Sequence, residues 1–302
     1  MHLSSLLEMI ESGFDDRVLL GSGDRQVTGT ELGQLVRRGA ATVHGRYDAV
    51  VYVGENHPML PVALLAAAWA GVPFVPVNYR LEDHHLNALI GREPNALVLA
   101  DSHTAPRVES GALVFDSWLS TLPTDPPELE AAFDDDTVAV VLYTSGTTSE
   151  PKSALLRHRH LMAYLLGSVE FGGAGPEEAV LVSVPPYHIA GMANMLSNLF
   201  AGRRLVYLRH FDAPLWLATV KAEHISHAMV VPTMLARLVE ALHGEMAATP
   251  SLRSISYGGA KVSERVLRSA LLAFPSTGFV NAYGLTETAS TIAVLGPDDH
   301  RA

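Results

Sequence analysis

The most informative stretch of the sequence is Val138-Ala139-Val140-Val141-Leu142-Tyr143-Thr144-Ser145-Gly146-Thr147-Thr148-Ser149-Glu150-Pro151-Lys152-Ser153. Its first six residues form a continuous apolar run, which is typical of a strand covered on both faces. The residues that follow supply hydroxyls, a glycine and a lysine. Hydroxyl and backbone N–H groups donate to phosphate oxygens, glycine permits a close approach, and lysine adds positive charge. The stretch therefore predicts a polyphosphate-binding loop between a buried strand and a following helix.

The loop has two other possible interpretations. A Walker A loop has the pattern G-x-x-x-x-G-K-[ST], and counting from Gly146 its second glycine position holds Pro151, followed by Lys152 and Ser153. Proline has no N–H to donate and a fixed φ, so the Walker cradle fails here. On composition alone, a Ser/Thr-rich surface turn remains the alternative.

The same alternation of strands and helices continues on either side of this loop. We predict strands at residues 49–53, 74–77, 96–100, 138–143, 180–184, 204–208, 228–231, 254–257 and 278–282. We predict helices after Thr28, where Glu31 completes a capping box, and at residues 58–70, 157–171, 214–224, 232–243 and 263–274. Alternating strands and helices indicate parallel α/β sheets, and nine strands favour two sheets over one. The predicted fold is α/β, with two stacked layers around mostly parallel sheets.

Composition narrows the class of protein. With 302 residues, of which 48% are hydrophobic, the chain can bury a large core. A net charge of −11 argues against a nucleic-acid partner, and the lack of cysteine excludes disulfides and thiol catalysis. The longest apolar stretch, residues 61–77, is interrupted by Gly71, Pro73 and Pro76 and is too short to be a transmembrane segment. The N-terminus lacks the features of a secretory signal, so we expect a cytoplasmic protein.

Three more motifs each follow a predicted strand. They are Pro185-Pro186-Tyr187-His188-Ile189-Ala190-Gly191, then Ser256-Tyr257-Gly258-Gly259-Ala260, and then Asn281-Ala282-Tyr283-Gly284-Leu285-Thr286-Glu287. In the second, two glycines allow a flat ligand to lie against bare backbone. The third combines an amide and an aromatic ring for a purine base with a hydroxyl for phosphate. It also holds a carboxylate, which is a hard oxygen ligand for Mg²⁺.

Together these motifs resemble the adenylate-forming superfamily of acyl- and aryl-CoA synthetases, firefly luciferase and the adenylation domains of peptide synthetases. The loop is similar to Y-T-S-G-T-T-G-x-P-K-G, with Ser149 and Ser153 in place of glycines. The others are similar to P-x-x-H-x-x-G, to G-G-A-P with Lys261 in place of proline, and to Y-G-x-T-E. Three signatures stand in the family's order, each at a strand end, and the resemblance is closest to acyl- or aryl-CoA synthetases.

The resemblance implies which residues bind the nucleotide. For the phosphates it implies Thr144, Ser145, Gly146, Thr147, Thr148 and Lys152. For the adenine it implies Gly258, Gly259, Ala260, Asn281, Ala282, Tyr283 and Gly284. It further implies that Tyr283 stacks on the base, while Asn281 faces its amino group.

It also implies the catalytic residues, namely His188 beside the carboxylate to be activated, Thr286 on phosphate, and Glu287 as the metal ligand. On the helix after His188, it points to Met192, Asn194 and Met195 as lining of the acyl pocket. Ordinary core packing is the alternative for the two methionines.

The activity implied by the resemblance is ligation of a carboxylic acid to a thiol. MgATP activates the acid to an acyl-adenylate, and coenzyme A then accepts the acyl group. Residues 191–209 contain no acidic side chain that could pair with a substrate ammonium. We therefore expect a fatty or aromatic acid, with a role such as fatty acid metabolism. Two alternatives stay open, namely loading of a carrier protein and a non-catalytic nucleotide- or acyl-binding module.

The resemblance also divides the chain. It places residues 49–172, with the phosphate loop, in one layer and residues 1–48 with 176–302 in the other. The family's ribose-binding aspartate, its β-barrel layer and a C-terminal domain with a catalytic lysine would all follow Ala302. We therefore expect residues 1–302 to be a truncated N-terminal domain that binds nucleotide weakly and is inactive alone.

Overall fold

A computed structural model describes residues 1–22, 25–144 and 151–300. The described strands are β1 (Val18–Ser22), β2 (Arg25–Thr28), β3 (Ala49–Val53), β4 (Phe74–Val77), β5 (Ala96–Ala100), β6 (Leu113–Val114), β7 (Val138–Thr144), β8 (Lys152–Arg157), β9 (Ala179–Val182), β10 (Arg204–Tyr207), β11 (His227–Val230), β12 (Ser254–Gly258), β13 (Gly278–Leu285) and β14 (Ser290–Leu295). The α-helices are α1 (Leu3–Gly13), α2 (Gly29–Val43), α3 (Leu60–Ala70), α4 (Asp83–Ile90), α5 (Phe115–Ser120), α6 (His158–Ser168), α7 (Ile189–Ala201), α8 (Ala213–Ala222), α9 (Pro232–Ala241) and α10 (Glu264–Ala273). These elements confirm the predicted α/β class.

The chain divides into two compact units. The first comprises Met1–Arg17, Val27–Glu55 and Met59–Ser168. Its sheet has six strands in the order β6-β5-β3-β4-β7-β8, in which β7 and β8 are antiparallel and the other neighbouring strands are parallel. Every residue of α3 is buried, which is why this helix reads as apolar on all sides. The predicted capping box at the start of α2 is confirmed, since Thr28 N donates to Glu31 Oε2 at 2.8 Å and Glu31 N donates to Thr28 Oγ1 at 3.3 Å.

The N-terminal region differs from the predicted division. We expected residues 1–48 to join the second layer, but only Val18–Gln26 falls in the second unit. Helices α1 and α2 belong to the first unit, because the buried side of α2 packs against α3. At that contact a Cβ atom on Gly39 would lie 3.0 Å from the Ala66 Cβ. Strand β1 belongs to the second unit because it pairs in parallel with β10 through Leu20 and Leu205.

The second unit comprises Val18–Gln26, Asn56–Pro58 and Val169–Ala302. Its sheet has eight strands in the order β14-β13-β12-β11-β9-β10-β1-β2, with β14 antiparallel to β13. One face is an apolar core to which Ala228, Ile255 and Phe279 contribute from β11, β12 and β13. Helices α8, α9 and α10 supply the other side of this core, for example through Trp216, which is fully buried.

Candidate active site

In the first unit, the predicted phosphate loop joins the two strands of a hairpin. Thr144 ends β7, Lys152 begins β8, and the two residues face each other in the antiparallel ladder. The predicted site residues Ser145, Gly146, Thr147 and Thr148 lie outside the described residues. The helix expected after the loop is present as α6, but strand β8, which was not predicted, lies between the loop and that helix. Ala154 and Leu156 of β8 are buried while Ser153 and Leu155 are exposed, which is the two-residue period of a strand.

Positive charge flanks the loop end of this hairpin. Arg92 Nη1 donates to the Pro151 carbonyl oxygen at 3.1 Å. The same guanidinium lies 5.5 Å from the centre of the Tyr143 ring, on the other strand of the hairpin. Lys152 is exposed. Two cations beside the loop suit an anionic ligand, although sequence reasoning singled out only the lysine.

In the second unit, His188 lies at the start of α7. It occupies the N-cap position with an extended backbone and is exposed, and its ring lies 4.5 Å from that of Tyr187. Further along α7, Met192 and Met195 are each 1% exposed, as expected for ordinary core residues. Asn194 is also buried, and it lines a cavity.

The two glycine-containing motifs meet across neighbouring strands. Gly258 at the end of β12 is the register partner of Ala282 in β13, and Tyr257 is the partner of Asn281. A Cβ atom on Gly258 would lie 2.2 Å from the Ala282 carbonyl oxygen, so only glycine fits there. The parallel strands β12 and β13 thus present bare backbone where β12 ends, with Gly259 and Ala260 exposed beyond it.

The Y-G-x-T-E motif continues from β13 into the turn before β14. Tyr283 is 59% exposed, so its ring is accessible to a flat ligand. A Cβ atom on Gly284 would lie 1.8 Å from the Ser290 carbonyl oxygen, which makes glycine necessary in this hairpin. Thr286 and the exposed Glu287 follow in a short 3-10 helix, Thr286–Thr288. A threonine hydroxyl and one carboxylate form an all-oxygen set that suits Mg²⁺ when water and phosphate supply the remaining ligands.

Tyr257 connects this strand end to the last described residues. Its hydroxyl lies 2.8 Å from the Nε2 atom of His300. Burial raises the pKa of Tyr257, and a hydrogen bond with Asn281 acts in the opposite direction. The predicted adenine-facing residue, Asn281, therefore already has one partner within the second unit.

A cavity of about 210 Å³ lies between α7 and the sheet. We call it the polar cavity, and its polar lining includes Asn194, Ser197, Asn198, His227, Ser254 and Ser256. Sequence reasoning named only Asn194 among these. The alternation Ser254-Ile255-Ser256-Tyr257 was the available signal, because polar residues at every second position share one face of a strand.

An ion-pair network borders the polar cavity. Glu178 lies 2.8 Å from Arg203, and Arg253 and His227 lie 3.2 and 3.5 Å from the same carboxylate. Burial alone would raise the pKa of Glu178, but its hydrogen bond with Arg203 holds that pKa below the ordinary value. Burial lowers the pKa of His227 to about 4, so its imidazole is neutral at pH 7.

Two mostly parallel sheets, with glycine, aromatic, hydroxyl and carboxylate groups at their strand ends, define the N-terminal domain of an adenylate-forming enzyme. The chain belongs to the AMP-binding enzyme family, which matches residues 10–302. This assignment confirms the resemblance seen in the four motifs. The role of each site residue stays a prediction.

Similar proteins include acid–CoA ligases. The chain is 31% identical over 261 residues to a feruloyl-CoA synthase from Amycolatopsis sp., covering 82% of this chain and 51% of that protein. It is 28% identical over 288 residues to a 2-succinylbenzoate–CoA ligase from Geobacillus sp. (strain WCH70), covering 94% of this chain and 58% of that protein. The chain thus spans between half and three fifths of these relatives.

A solved structure shares the fold. It is the O-succinylbenzoate coenzyme A synthetase from Bacillus subtilis in complex with AMP, with a TM-score of 0.82 and 24% identity, covering 97% of this chain and 76% of that one. The same enzyme in complex with ATP and magnesium ion has a TM-score of 0.81 and 23% identity, covering 97% of this chain and 62% of that one. Within the described residues, no helix has the length and apolar character needed to cross a membrane.

Proposed function

We propose that the whole protein is an ATP-dependent acid–CoA ligase. The observation that carries this proposal is the meeting of two family motifs at adjacent strand ends, where Gly258 faces Ala282 and Thr286 and Glu287 follow on the same strand. Relatives whose names identify them as acid–CoA ligases support the same activity.

In the proposed reaction, a carboxylate oxygen of the acid attacks the α-phosphorus of ATP. The bond to pyrophosphate breaks, so the products are an acyl-adenylate and pyrophosphate. The sulfur of coenzyme A then attacks the acyl carbon, AMP leaves, and the thiol proton is released. Such phosphoryl chemistry depends mostly on positioning and on neutralising charge.

We propose that residues of the second unit bind and orient the nucleotide and the acid. The exposed ring of Tyr283 is proposed to stack on the adenine, with Asn281 at the base edge and Gly258, Gly259, Ala260, Ala282 and Gly284 forming the flat backbone wall. Thr286 is proposed to donate to phosphate, and His188 to lie beside the acid's carboxylate. Glu287 would hold Mg²⁺, which offsets phosphate charge when bound.

The first unit is assigned to the polyphosphate. Thr144 and Lys152 are proposed to contact it from the two strands of the hairpin, together with Ser145, Gly146, Thr147 and Thr148. Arg92 adds a second cation at the loop end of the hairpin, through its contacts with Pro151 and Tyr143.

The proposed substrate is a fatty or aromatic acid without an α-amino group. Residues 191–209 hold no carboxylate, and Met192 and Met195 are buried apolar side chains of α7. A substrate ammonium placed there would lose its hydration without gaining a partner.

Pyrophosphate release and thioester formation by the whole protein test this proposal. A panel of fatty, aryl and amino acids is offered with MgATP, with and without coenzyme A, and thioesters are identified by mass spectrometry. We expect pyrophosphate with fatty or aryl acids and a CoA thioester when coenzyme A is present. Pyrophosphate with amino acids alone would overturn the substrate class. An acyl-adenylate transferred only to a carrier protein would overturn the acceptor, and nucleotide binding without pyrophosphate would indicate a non-catalytic module.

A further inference from the structure

Three side chains that can bind a metal ion lie together at the start of α4, in the first unit. They are Glu82, His84 and His85, and one ligand atom from each lies within 4.8 Å of those from the other two. The His84 Nδ1 atom is 3.6 Å from Glu82 Oε2, and the centres of the two imidazole rings are 3.8 Å apart. Among the residues that the structure describes, this is the only group of three histidine or acidic side chains with such spacing.

The position of these residues on α4 leaves their ligand atoms accessible. Glu82 is the N-cap residue, but its side chain makes no capping hydrogen bond, so the carboxylate is not used by the helix end. His84 and His85 follow in the first turn. Consecutive helical residues point about 100° apart, yet these two rings lie against each other. All three side chains are exposed, and a metal ion can therefore reach them from solvent.

The backbone that carries the three side chains is held by Arg107. Its guanidinium donates to the Tyr79 carbonyl oxygen at 2.6 Å and also to the Leu81 carbonyl oxygen. Its Nε atom donates to Asp83 Oδ1 at 2.7 Å. These contacts fix the chain on both sides of Glu82, and a held backbone reduces the ordering that metal binding requires. They also give the Asp83 carboxylate a partner of its own, which leaves three ligands for the metal.

The chemistry of the three ligands selects the metal. Two imidazole nitrogens and one carboxylate oxygen are a ligand set that zinc uses, with water in the fourth position, whereas Mg²⁺ prefers oxygen ligands alone. Zinc–ligand bonds of about 2.0–2.2 Å in a tetrahedral arrangement place ligand atoms about 3.4 Å apart. The separation of Glu82 and His84 is already 3.6 Å. Exposed side chains can close the remaining distances by rotation, without disturbing the core.

One electrostatic effect opposes the metal ion. The N-terminus of a helix carries partial positive charge, which disfavours a cation in the first turn. The Glu82 carboxylate offsets that charge, while the charge of Asp83 is balanced by Arg107 at 2.7 Å. Coordination by two imidazoles must therefore supply most of the affinity, and we expect a dissociation constant in the micromolar range.

We propose that Glu82, His84 and His85 bind one Zn²⁺ ion, with water completing a tetrahedral site. Such a site joins the residue before α4 to the first turn of the helix. The proposal goes beyond the ligase activity and does not depend on it, because none of the three residues has a role in the proposed reaction.

The test is calorimetric titration of the whole protein with Zn²⁺. The protein carries no affinity tag, is stripped of metal with a chelator and is dialysed, and no nucleotide is present. We expect one Zn²⁺ per chain with a dissociation constant of about 1–100 μM. His84→Ala, His85→Ala and Glu82→Gln should each weaken binding by a factor of at least about 10, since even groups that only orient a ligand are worth about 10–100-fold. Millimolar Mg²⁺ should not displace the ion.

Controls separate this site from zinc bound elsewhere on the surface. His160→Ala removes an exposed histidine from α6 in the same unit, and it should leave the affinity unchanged. Zinc should also raise the thermal unfolding midpoint of the wild type and of His160→Ala, but not that of His84→Ala. Absence of binding at about 100 μM Zn²⁺, an affinity that persists in both His84→Ala and His85→Ala, or displacement by Mg²⁺ would overturn the proposal.

Discussion

The two faces of the eight-stranded sheet use the same strands for different purposes. On one face Ala228, Ile255 and Phe279 are almost fully buried against helices. On the other face the same strands present His227, Ser256 and Val280, which are only partly buried and line the polar cavity. The first face is therefore closely packed against helices, while the second leaves space for the polar cavity. The difference shows how adjacent residues in one strand serve different roles.

The largest expected effect is on the packed face. Phe279→Ala should lower the free energy of unfolding by about 3–5 kcal/mol, because it leaves a large cavity in the core. Its neighbour provides the matched control, since Val280→Ala on the opposite face should cost only about 1 kcal/mol. Urea unfolding monitored by circular dichroism measures both. Similar losses of unfolding free energy in the two variants would contradict the proposed difference in packing between the two faces.

The next effect is on turnover, at the ends of the strands. Glu287→Gln should reduce pyrophosphate release by the whole protein by a factor of about 10²–10³, because it removes a charge that holds the metal against phosphate. Glu264→Gln is the matched control, since that exposed carboxylate pairs with Arg268 on a helix surface. Unfolding midpoints should stay close to the wild type in both. Wild-type turnover in Glu287→Gln would exclude this residue from the reaction.

A smaller effect is expected where the two glycine motifs meet. Gly258→Ala should destabilise the protein by about 1–3 kcal/mol, because the new methyl group would meet the Ala282 carbonyl oxygen. Gly167→Ala is the control, and we expect it to change stability in the opposite direction. It lies in α6 with nothing near its Cβ position, so it should stabilise by about 0.5–1 kcal/mol. Thermal unfolding distinguishes them, and a neutral Gly258→Ala would show that the close approach can relax.

The smallest predicted effect concerns pH and a residue that lines the polar cavity, His227. Burial lowers the pKa of His227 to about 4, so the unfolded chain binds a proton at this histidine at higher pH than the folded protein does. The stability contributed by the neutral imidazole is complete above pH 6.5 and is lost as the pH falls towards 4. We expect this to amount to about 1–2 kcal/mol after allowance for solvent screening. His227→Gln should remove that part of the pH dependence in urea titrations between pH 7 and 4. If the free energy of unfolding of the variant depends on pH as it does in the wild type, the effect does not come from His227.

The buried strands were predicted well, because continuous runs of β-branched and other apolar residues favour a strand over a helix or a loop. It missed β8 because six residues that begin with Lys152 and Ser153 read as the end of a loop, and their two-residue alternation is short. The unit to which most of residues 1–48 belong is decided by the packing of α2 against α3. The order of the elements along the chain does not reveal that contact. The polar cavity was missed because it is assembled by strand register. His227 and Ser254 are distant in sequence and become neighbours only in the ladder.

The pairing of β1 with β10 has a consequence for synthesis. Arg204 Nη1 donates to the Gly21 carbonyl oxygen at 2.9 Å, and the two residues are 183 positions apart in the chain. At a translation rate of about 5–20 residues per second, β1 waits roughly 10–40 s for its partner to be made. During that time Leu19 and Leu20, which are fully buried in the folded protein, can pair with β2 but not with β10. The β10 side of β1 therefore stays unpaired until β10 has been synthesised.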